Sequence, residues 1–315
     1  MSIAIETLQL IKRYPGQKKE DRPAIDTIDL TVESGQLYGL VGPDGAGKTT
    51  ILRILSTVIK PTSGSAHLAG FDVIKQSEDV RALLGYMPQA FSLYPDLTVK
   101  ENLKFFADIN GVPAREQKQR IDELLEFARL SEFSTRRSEN LSGGMRKKLA
   151  LACALIHEPK ILLLDEPTTG VDPVSRRELW HLLAKVIQQG VTVLVSTPYM
   201  DEAERCSTVS IINQGRMLIT GAPIELENQM PFQIVEVKAR PRHALRAVAD
   251  QTEGVLSWRA VGDRLRLSVD NPNAVMPRID DELKKAGAQI SILREARILM
   301  EDVFIYLVEK QKEQA

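Results

Sequence analysis

The chain has 315 residues, of which 43% are apolar and 26% are charged. It carries 41 basic and 42 acidic residues, so its net charge of −1 argues against a protein that coats nucleic acid. The size suits one large domain, or a large and a small one. Two cysteines, Cys153 and Cys206, indicate a reducing compartment and exclude a disulfide scaffold. No apolar run approaches the roughly 20 residues of a membrane span. The N-terminal segment has the pattern of a strand, not of a signal peptide.

Strand and helix patterns alternate through the first part of the chain. The runs 35–42, 160–167 and 191–196 are short and apolar, as buried strands are, and a helical pattern follows each. This alternation predicts an α/β fold with a largely parallel sheet and helices on its faces. Between the first two runs lies a long helical stretch, so residues from about 97 to 158 are predicted to be an inserted helical subdomain.

The pattern changes after about residue 225. Strict alternation in "DRLRLSVD" predicts a half-buried strand, and a helix is expected from about residue 273 to Gly287. With the flanking segments, this indicates a small α+β domain of ferredoxin-like type, in the order strand-helix-strand-strand-helix-strand, plus a terminal helix. We therefore divide the chain into residues 1–225 and 226–315.

The stretch "GPDGAGKTT" fits the phosphate-loop pattern G-x-x-x-x-G-K-[ST] and stands between a strand and a helix. Its glycines allow a tight turn that points backbone N–H groups at phosphate oxygens. Lys48 is expected to reach the β and γ phosphates, and Thr49 to hold Mg²⁺. The predicted nucleotide-binding residues of the loop are Gly42, Pro43, Asp44, Gly45, Ala46, Gly47, Lys48, Thr49 and Thr50.

Two carboxylates end the second apolar strand, in "ILLLDEP". Asp165 is placed to bind Mg²⁺ through water, and Glu166 to polarise a water that attacks phosphorus. Such a pair is more often a solvated strand end, but it becomes informative after a phosphate loop. Lys48 and Glu166 are therefore predicted to be catalytic.

The stretch "LSGGMRKK" places Ser142, Gly143 and Gly144 at the start of a helix. A serine and two glycines there offer a second cluster of N–H groups for an anion. In most proteins this would be an ordinary capped helix. Its position before Asp165 makes it the strongest functional signal in the chain.

Taken in order, "GPDGAGKTT", "YMPQ", "LSGGM", "ILLLDEP" and "TTGVDP" resemble the ATP-binding cassette (ABC) ATPases over about residues 2–225. The resemblance implies a P-loop NTPase fold with a RecA-like sheet core, ATP and Mg²⁺ as cofactors, and two cassettes packed head to tail. Residues 226–315 resemble the small C-terminal domain of bacterial ABC-2 type exporter ATPases, whose "EDVF" ending is similar to "MEDVFIYL". The whole looks most similar to the N-terminal half of tandem-cassette multidrug exporter ATPases.

The resemblance also implies roles for single residues. Tyr14 would stack on adenine, although a surface tyrosine that shields solvent is the alternative. Gln89 would be catalytic together with Lys48 and Glu166. It would contact both the water and the Mg²⁺ held by Thr49 and Asp165, and it would sense the membrane partner. Ser142, Gly143 and Gly144 would clamp the γ-phosphate of the opposite cassette, and Asp172 would communicate across the dimer.

The sequence departs from the family at Pro198, where active cassettes carry a histidine that donates to the γ-phosphate. Proline has no side-chain donor and no N–H, and losing one such donor typically costs about 10²–10³ in rate. Asp44 stands at a position of the phosphate loop where asparagine is common in the family. Its carboxylate is expected to point to solvent. We therefore expect the site that contains Pro198 to bind ATP but to hydrolyse it slowly or not at all.

Because the signature "LSGGM" is intact, it can complete a second site with a partner cassette. This favours a heterodimer with one weak and one competent site. A homodimer in which Tyr199 or a water replaces the histidine is the alternative.

The leading interpretation is the ATPase subunit of an exporter on the inner face of the cytoplasmic membrane, with separate permease subunits and no nucleic acid. The alternatives are a soluble non-transport ABC protein that acts on ribosomes or DNA, and a nucleotide-binding regulator without turnover. The stretch 86–103, which contains Gln89, is expected to pass motion to the permease.

Overall fold

The computed structural model describes residues 2–16, 18, 20–90 and 93–313, apart from the Glu313 side chain. The chain divides into two compact units, Met1–Pro223 and Ile224–Ala315. This division falls two residues before the boundary that we expected from the change in pattern at residue 225. Phe91 and Ser92, within the stretch expected to face a permease, lie outside the described residues.

A six-stranded sheet forms the centre of the first unit, in the order β10-β9-β3-β8-β7-β6. Strands β9, β3, β8, β7 and β6 run parallel, and β10 is antiparallel to β9. All five residues of β7 are buried, as expected for a parallel strand covered on both faces. The strands are β3 (Leu37–Val41), β6 (Leu84–Met87), β7 (Ile161–Asp165), β8 (Thr192–Thr197), β9 (Thr208–Asn213) and β10 (Arg216–Gly221).

A second, antiparallel sheet of four strands has the order β2-β1-β4-β5. Its inward residues, such as Ile5 and Ile28, share one core cluster with Leu40 of β3 and Ile51 of the first helix. The strands are β1 (Ile3–Lys12), β2 (Ile25–Glu33), β4 (Ser63–Leu68) and β5 (Phe71–Asp72).

Helices occupy most of the chain between β6 and β7. There α3 begins at Thr98, whose side chain forms a capping box with Glu101. Leu103 of α3, Ile121 and Leu125 of α4 and Leu149 of α5 belong to one buried cluster. The helices of the first unit are α1 (Lys48–Leu55), α2 (Ser77–Leu83), α3 (Val99–Ile109), α4 (Ala114–Phe127), α5 (Gly143–Leu155), α6 (Pro173–Gln188) and α7 (Met200–Ala203), and α8 (Pro223–Asn228) follows β10.

The second unit is built on an antiparallel sheet of order β12-β13-β11-β14. Leu265, Leu267 and Val269 alternate toward the apolar core that this sheet shares with Leu245 of α9 and Ile279 of α10. The alternation predicted from "DRLRLSVD" thus places its apolar side chains on one face. The elements are β11 (Gln233–Arg240), α9 (Arg242–Gln251), β12 (Val255–Val261), β13 (Arg264–Val269), α10 (Pro272–Lys285), β14 (Gln289–Ala296) and α11 (Met300–Glu313).

The other face of this sheet carries a row of charged residues, one from each strand. Arg259 is in register with Arg266, Arg266 with Glu236, and Glu236 with Arg294. We call these four residues the arginine row. Asp302 of α11 accepts from Arg259 and Arg266, each at 2.8 Å. The row therefore ties all four strands to the terminal helix.

Among the residues that the structure describes, no helix is both long and apolar enough to cross a lipid bilayer.

Candidate nucleotide-binding site

The carboxyl ends of the parallel strands β3, β8, β7 and β6 bring the predicted site residues together. The phosphate loop follows β3, Asp165 ends β7, and Gln89 comes two residues after β6. Ligands of open α/β sheets bind outside the carboxyl ends of the strands. The site is therefore where the topology alone would put it.

The phosphate loop leads directly into α1, and Gly47 makes that entry sterically feasible. Its φ is 108°, in the left-handed region, and an added Cβ would lie 2.6 Å from the Ala24 carbonyl oxygen. The Lys48 ammonium is 3% exposed and donates to the carbonyl oxygens of Gly42 at 2.8 Å and Pro43 at 3.0 Å. Lys48 therefore lies against the loop, 3.4 Å from Glu166 Oε1.

Asp165 and Thr49 form the side of the site that suits a metal ion. Thr49 Oγ1 donates to Asp165 Oδ1 at 3.1 Å, and Ser196 Oγ donates to the same oxygen at 2.7 Å. Within the described residues Asp165 Oδ2 is buried and has no hydrogen-bond partner. A carboxylate oxygen left without a partner beside a threonine hydroxyl fits Mg²⁺, which binds one or two carboxylates and keeps several waters.

The site is not a cage of conventional metal ligands. In the described part of the chain, no group of three or more His, Cys, Asp or Glu side chains could hold a metal ion. A metal here would depend on phosphate oxygens and water for its remaining ligands, as Mg²⁺ bound with nucleotide does. Residues of this chain that could take part are Thr49, Asp165 and Gln89.

Hydrogen bonds hold both the side chain and the backbone of Glu166. Gln89 Nε2 donates to Glu166 Oε2 at 2.9 Å, and Thr169 Oγ1 donates to the same oxygen at 3.2 Å. The Glu166 backbone is left-handed, with φ 48°. The Glu166 N–H donates to both the carbonyl oxygen and Oγ of Ser196, each at 3.1 Å. This carboxylate is thus fixed beside Lys48 and the loop.

Tyr14 lies next to the phosphate loop, as its expected contact with the base requires. Its hydroxyl is 3.3 Å from Thr50 Oγ1, and the residue is 37% exposed. Asp44 is exposed, which agrees with a carboxylate that points to solvent.

Ser142 and Asp172 both begin helices. Ser142 Oγ accepts from the Met145 N–H at 3.2 Å at the start of α5, and Asp172 Oδ1 accepts from Val174 and Ser175 N–H at 3.0 Å each at the start of α6. Hydrogen bonds to Ser175 and Val174 hold the pKa of Asp172 below its usual value. None of these hydrogen bonds, in the described part of the chain, reaches the phosphate loop.

The two signature glycines have different packing requirements. A Cβ on Gly144 would lie 2.3 Å from Ser175 Oγ and 2.4 Å from its Cβ, whereas a Cβ on Gly143 would meet Gly170 O at 3.5 Å. Gly144 is therefore required for the close approach of α5 and α6, whatever else it does.

The segment after β8, which contains Pro198, is anchored by a buried glutamate. Glu202 is fully buried and accepts from Thr197 Oγ1 at 2.6 Å, Arg176 Nε at 2.6 Å and Trp180 Nε1 at 3.2 Å. The Arg176 guanidinium lies 4.7 Å from the centre of the Tyr199 ring. Tyr199, the alternative to the missing histidine, thus packs against Arg176.

Sequence reasoning missed three residues that contact the predicted site: Ser196, Thr169 and Lys147. Ser196 is paired in register with Asp165 on the neighbouring parallel strand. A hydroxyl at the carboxyl end of "VTVLVS" was the available signal. Thr169 comes three positions after Glu166, and Lys147 gave no sequence signal beyond its place in the helix that begins with "SGGM".

Comparison with known proteins identifies the family. A family model described as "ABC transporter" matches residues 25–169. The chain is 37% identical to the Nod factor export ATP-binding protein I of Burkholderia thailandensis, over 99% of both chains. The chain belongs to the ABC transporter ATP-binding family. Its members are ATPases, and this relative is named as an export ATP-binding protein.

Two further relatives define how far the similarity extends. The chain is 51% identical to the probable multidrug ABC transporter ATP-binding protein YbhF of Escherichia coli (strain K12), over 73% of this chain but only 39% of that protein. It is 35% identical to the daunorubicin resistance ATP-binding protein DrrA3 of Streptomyces coeruleorubidus, over 93% of this chain and 88% of that one. The chain thus spans about two-fifths of the E. coli relative.

Solved structures agree on the cassette fold. The dimeric structure of a post-hydrolysis state of the ATP-binding cassette MJ0796, bound to ADP and Pi, aligns with a TM-score of 0.63 and 27% identity. The alignment covers 69% of this chain and 98% of that one. The predicted α/β P-loop cassette is therefore confirmed.

Proposed function

We propose that this chain is the ATP-hydrolysing subunit of a bacterial ABC exporter, in which separate permease subunits cross the membrane. It would work on the cytoplasmic face of that membrane. The observation that carries the proposal is the contact of Glu166 with both Gln89 and Lys48, in a chain that aligns end to end with an export ATP-binding protein.

The proposed reaction is attack of water on the γ-phosphorus of ATP, in which the new P–O bond forms as the bond to the β–γ bridging oxygen breaks, releasing ADP and phosphate. Lys48 would bind the β and γ phosphates in place of the Gly42 and Pro43 carbonyl oxygens that it now contacts. Glu166 would accept a hydrogen bond from the attacking water and orient it, and Gln89 would hold the Glu166 carboxylate in place. Mg²⁺, held by Thr49, Asp165 and Gln89, would neutralise developing charge on the phosphates.

Recognition of the nucleotide would involve separate residues for the base and for the phosphates. Tyr14 would stack on the adenine, and the loop residues 42–50 would surround the phosphates. Ser142, Gly143 and Gly144 would bind the γ-phosphate held by a second cassette, because a capped helix start presents free N–H groups to an anion. Asp172 would lie at the contact between the two cassettes.

We further propose that the site containing Pro198 is slow and that the second cassette is a different chain. Pro198 offers no donor to the γ-phosphate, and the Tyr199 ring packs against Arg176. An intact signature beside a deficient switch position favours a heterodimer with one competent site. The alternative is a homodimer in which Tyr199 or a water makes the missing contact.

Residues 1–225 would form the catalytic cassette, with a helical subdomain over about 97–158, and residues 226–315 an accessory domain. We assign the accessory domain to the ferredoxin-like class, because its strand-helix-strand-strand-helix-strand order and its sheet order β12-β13-β11-β14 follow that pattern.

The test is Mg²⁺-dependent ATP binding and hydrolysis by the purified chain, beside Lys48→Ala. We expect wild type to bind ATP and Lys48→Ala to lose at least tenfold in affinity, since a charged phosphate contact is removed. Equal binding by the two proteins, or binding indifferent to Mg²⁺, would overturn the proposal. Copurification with membrane proteins, not with ribosomes or DNA, separates the exporter from its rival.

A further inference from the structure

Lys147 is a buried cation on the signature helix α5. Its residue exposure is 3%, which is unusual for lysine. Its ammonium donates to the Gln89 carbonyl oxygen at 3.1 Å and to the Glu166 carbonyl oxygen at 3.3 Å. One side chain therefore connects the two segments whose own side chains meet at the proposed water-activating carboxylate.

The backbone of Glu166 needs such support. Its φ of 48° lies in the left-handed region, which residues with a side chain rarely adopt and which neighbouring contacts must maintain. On one side, the Glu166 N–H donates to the Ser196 carbonyl oxygen and hydroxyl. On the other side, the Glu166 carbonyl oxygen accepts from Lys147 and from the Thr169 N–H at 3.3 Å.

We propose that Lys147 is a positioning residue for ATP hydrolysis. By holding the carbonyl groups of Gln89 and Glu166, it keeps the Gln89 amide 2.9 Å from the Glu166 carboxylate and keeps that carboxylate aimed at the site. This inference rests on the proposed function, because it assigns Lys147 a part in that reaction. Lys147 acts through the two backbone segments, unlike Lys48, which lies on the phosphate loop itself.

The electrostatic surroundings agree with this role. Burial lowers the pKa of the Lys147 ammonium, and the negative charges of Asp165 and Glu166 oppose that change. A buried ammonium is costly unless carbonyls and carboxylates surround it, and here both do. The free-energy cost of burying the Lys147 ammonium thus falls where the Gln89 and Glu166 segments meet.

The neighbouring Lys148 provides a matched control. Its ammonium is 3.0 Å from Glu178 Oε2 of α6, and Lys148 is a buried lysine one position along the same helix. Lys148→Met also replaces a buried lysine by methionine, but it removes no hydrogen bond to the Gln89 or Glu166 carbonyl oxygens. A merely structural role for Lys147 would make the two methionine variants behave alike.

The kinetic experiment compares Lys147→Met, Lys147→Arg and Lys148→Met in the full chain. Each variant is made in two backgrounds, one with the natural Pro198 and one with Pro198→His. Lys147→Met is expected to lower kcat about tenfold to hundredfold, as misplaced catalytic groups do. KM and ATP affinity should stay within about twofold. Lys147→Arg should restore most of kcat. A kcat for Lys147→Met no lower than that for Lys148→Met would overturn the proposal.

A second measurement does not depend on turnover. Amide hydrogen exchange of the segment 165–169 should be faster in Lys147→Met than in Lys148→Met or wild type, because the Glu166 carbonyl has lost a donor. If ATP binds but no variant hydrolyses it, the proposed reaction is wrong and the exchange result still decides the role of Lys147. Equal exchange in the two methionine variants contradicts that role.

Discussion

Two networks of charged side chains, one in each unit, differ in how many hydrogen bonds their carboxylates accept. In the first unit, Asp165 Oδ2 is buried without a hydrogen-bond partner in the described residues, and Glu166 has a left-handed backbone. In the arginine row, the Glu236 carboxylate accepts from Arg264, Arg266 and Arg294, at 3.2, 2.9 and 2.8 Å. In the described residues this row also contains a buried atom without a hydrogen-bond partner, Arg266 Nε, but that atom is a donor and not a carboxylate oxygen.

We infer from this difference that the first network serves a ligand or a reaction and that the arginine row is structural. An unpartnered carboxylate oxygen can still bind a cation, which a guanidinium N–H cannot do. A strained backbone is costly and concentrates where a ligand or a reaction completes the arrangement. The Glu236 carboxylate, by contrast, accepts from three arginine side chains, as expected for a group that holds strands together. Burial and charge density alone, which both regions share, would not distinguish them.

The largest expected effect comes from Glu166→Gln. If the first network serves chemistry, this change should lower hydrolysis by about 10²–10⁴ and leave ATP binding intact. The unfolding temperature should change by no more than a few degrees, because the amide keeps the shape of the side chain. Hydrolysis, ATP affinity and thermal unfolding of the full chain are the measurements. Unfolding of the variant at a much lower temperature would mean that Glu166 is mainly structural.

Arg266→Met tests the opposite prediction for the arginine row. Arg266 is 6% exposed and bridges Glu236 and Asp302. Removing one partner of a buried ionic network should destabilise the second unit by about 3 kcal/mol. Hydrogen exchange of the segment 255–269 measures this loss, while exchange of 161–170 and ATP affinity should stay as in wild type. If Arg266→Met lost ATP affinity while hydrogen exchange of 255–269 stayed unchanged, the arginine row would not be a purely structural network.

Gly144→Ala sharpens the comparison within the first unit. The new Cβ would lie 2.3 Å from Ser175 Oγ, so the change should cost about 1–3 kcal/mol. Gly143→Ala, with its nearest contact at 3.5 Å, is the matched control and should cost far less. Combining Gly144→Ala with Ser175→Gly should recover part of the loss in a double-mutant cycle. Equal unfolding midpoints for the two alanine variants would contradict the packing account.

The smallest expected effect is the pH dependence of the arginine row. The hydrogen bond from Arg294, together with the charges of Arg294, Arg266 and Arg264, holds the pKa of Glu236 below its usual value, against the effect of burial. Stability from this ionised group is fully present above the ordinary glutamate pKa of about 4.3 and is lost as pH falls through the lower folded value.

In Glu236→Gln, the second unit should lose on the order of 1 kcal/mol at neutral pH. It should also show a shallower loss of stability below about pH 4 than wild type. Exchange of 255–269 at several pH values checks both statements. An acid dependence identical to wild type would show that Glu236 does not titrate with folding.

Much of the site was predictable, because it depends on short segments with their own chemistry. The phosphate loop, Asp165 and Glu166 each follow an apolar strand, and parallel strands bring their carboxyl ends together. Ser196 and Lys147 were not predicted, because their contacts depend on register between strands and on how α5 packs. The arginine row was hidden for the same reason: its four members are spread over residues 236–294 and meet only through strand pairing.

The fold was predictable at the level of periodicity and less so at its boundaries. Apolar runs gave the parallel sheet, and strict alternation gave β13 with Leu265, Leu267 and Val269 on one face. The passage from the first unit to the second has no such pattern, since α8 spans Pro223–Asn228 with mixed polar and apolar residues. The expected boundary therefore differs by two residues from the observed one.

The most direct test of the central claim is the ATPase rate of the purified chain beside that of Pro198→His. The account predicts slow hydrolysis by wild type and a gain of at least tenfold in the variant, up to the roughly 10²–10³ that one donor to developing charge typically supplies. ATP affinity should change little. A wild type that already hydrolyses ATP rapidly and gains nothing from the histidine would contradict the account.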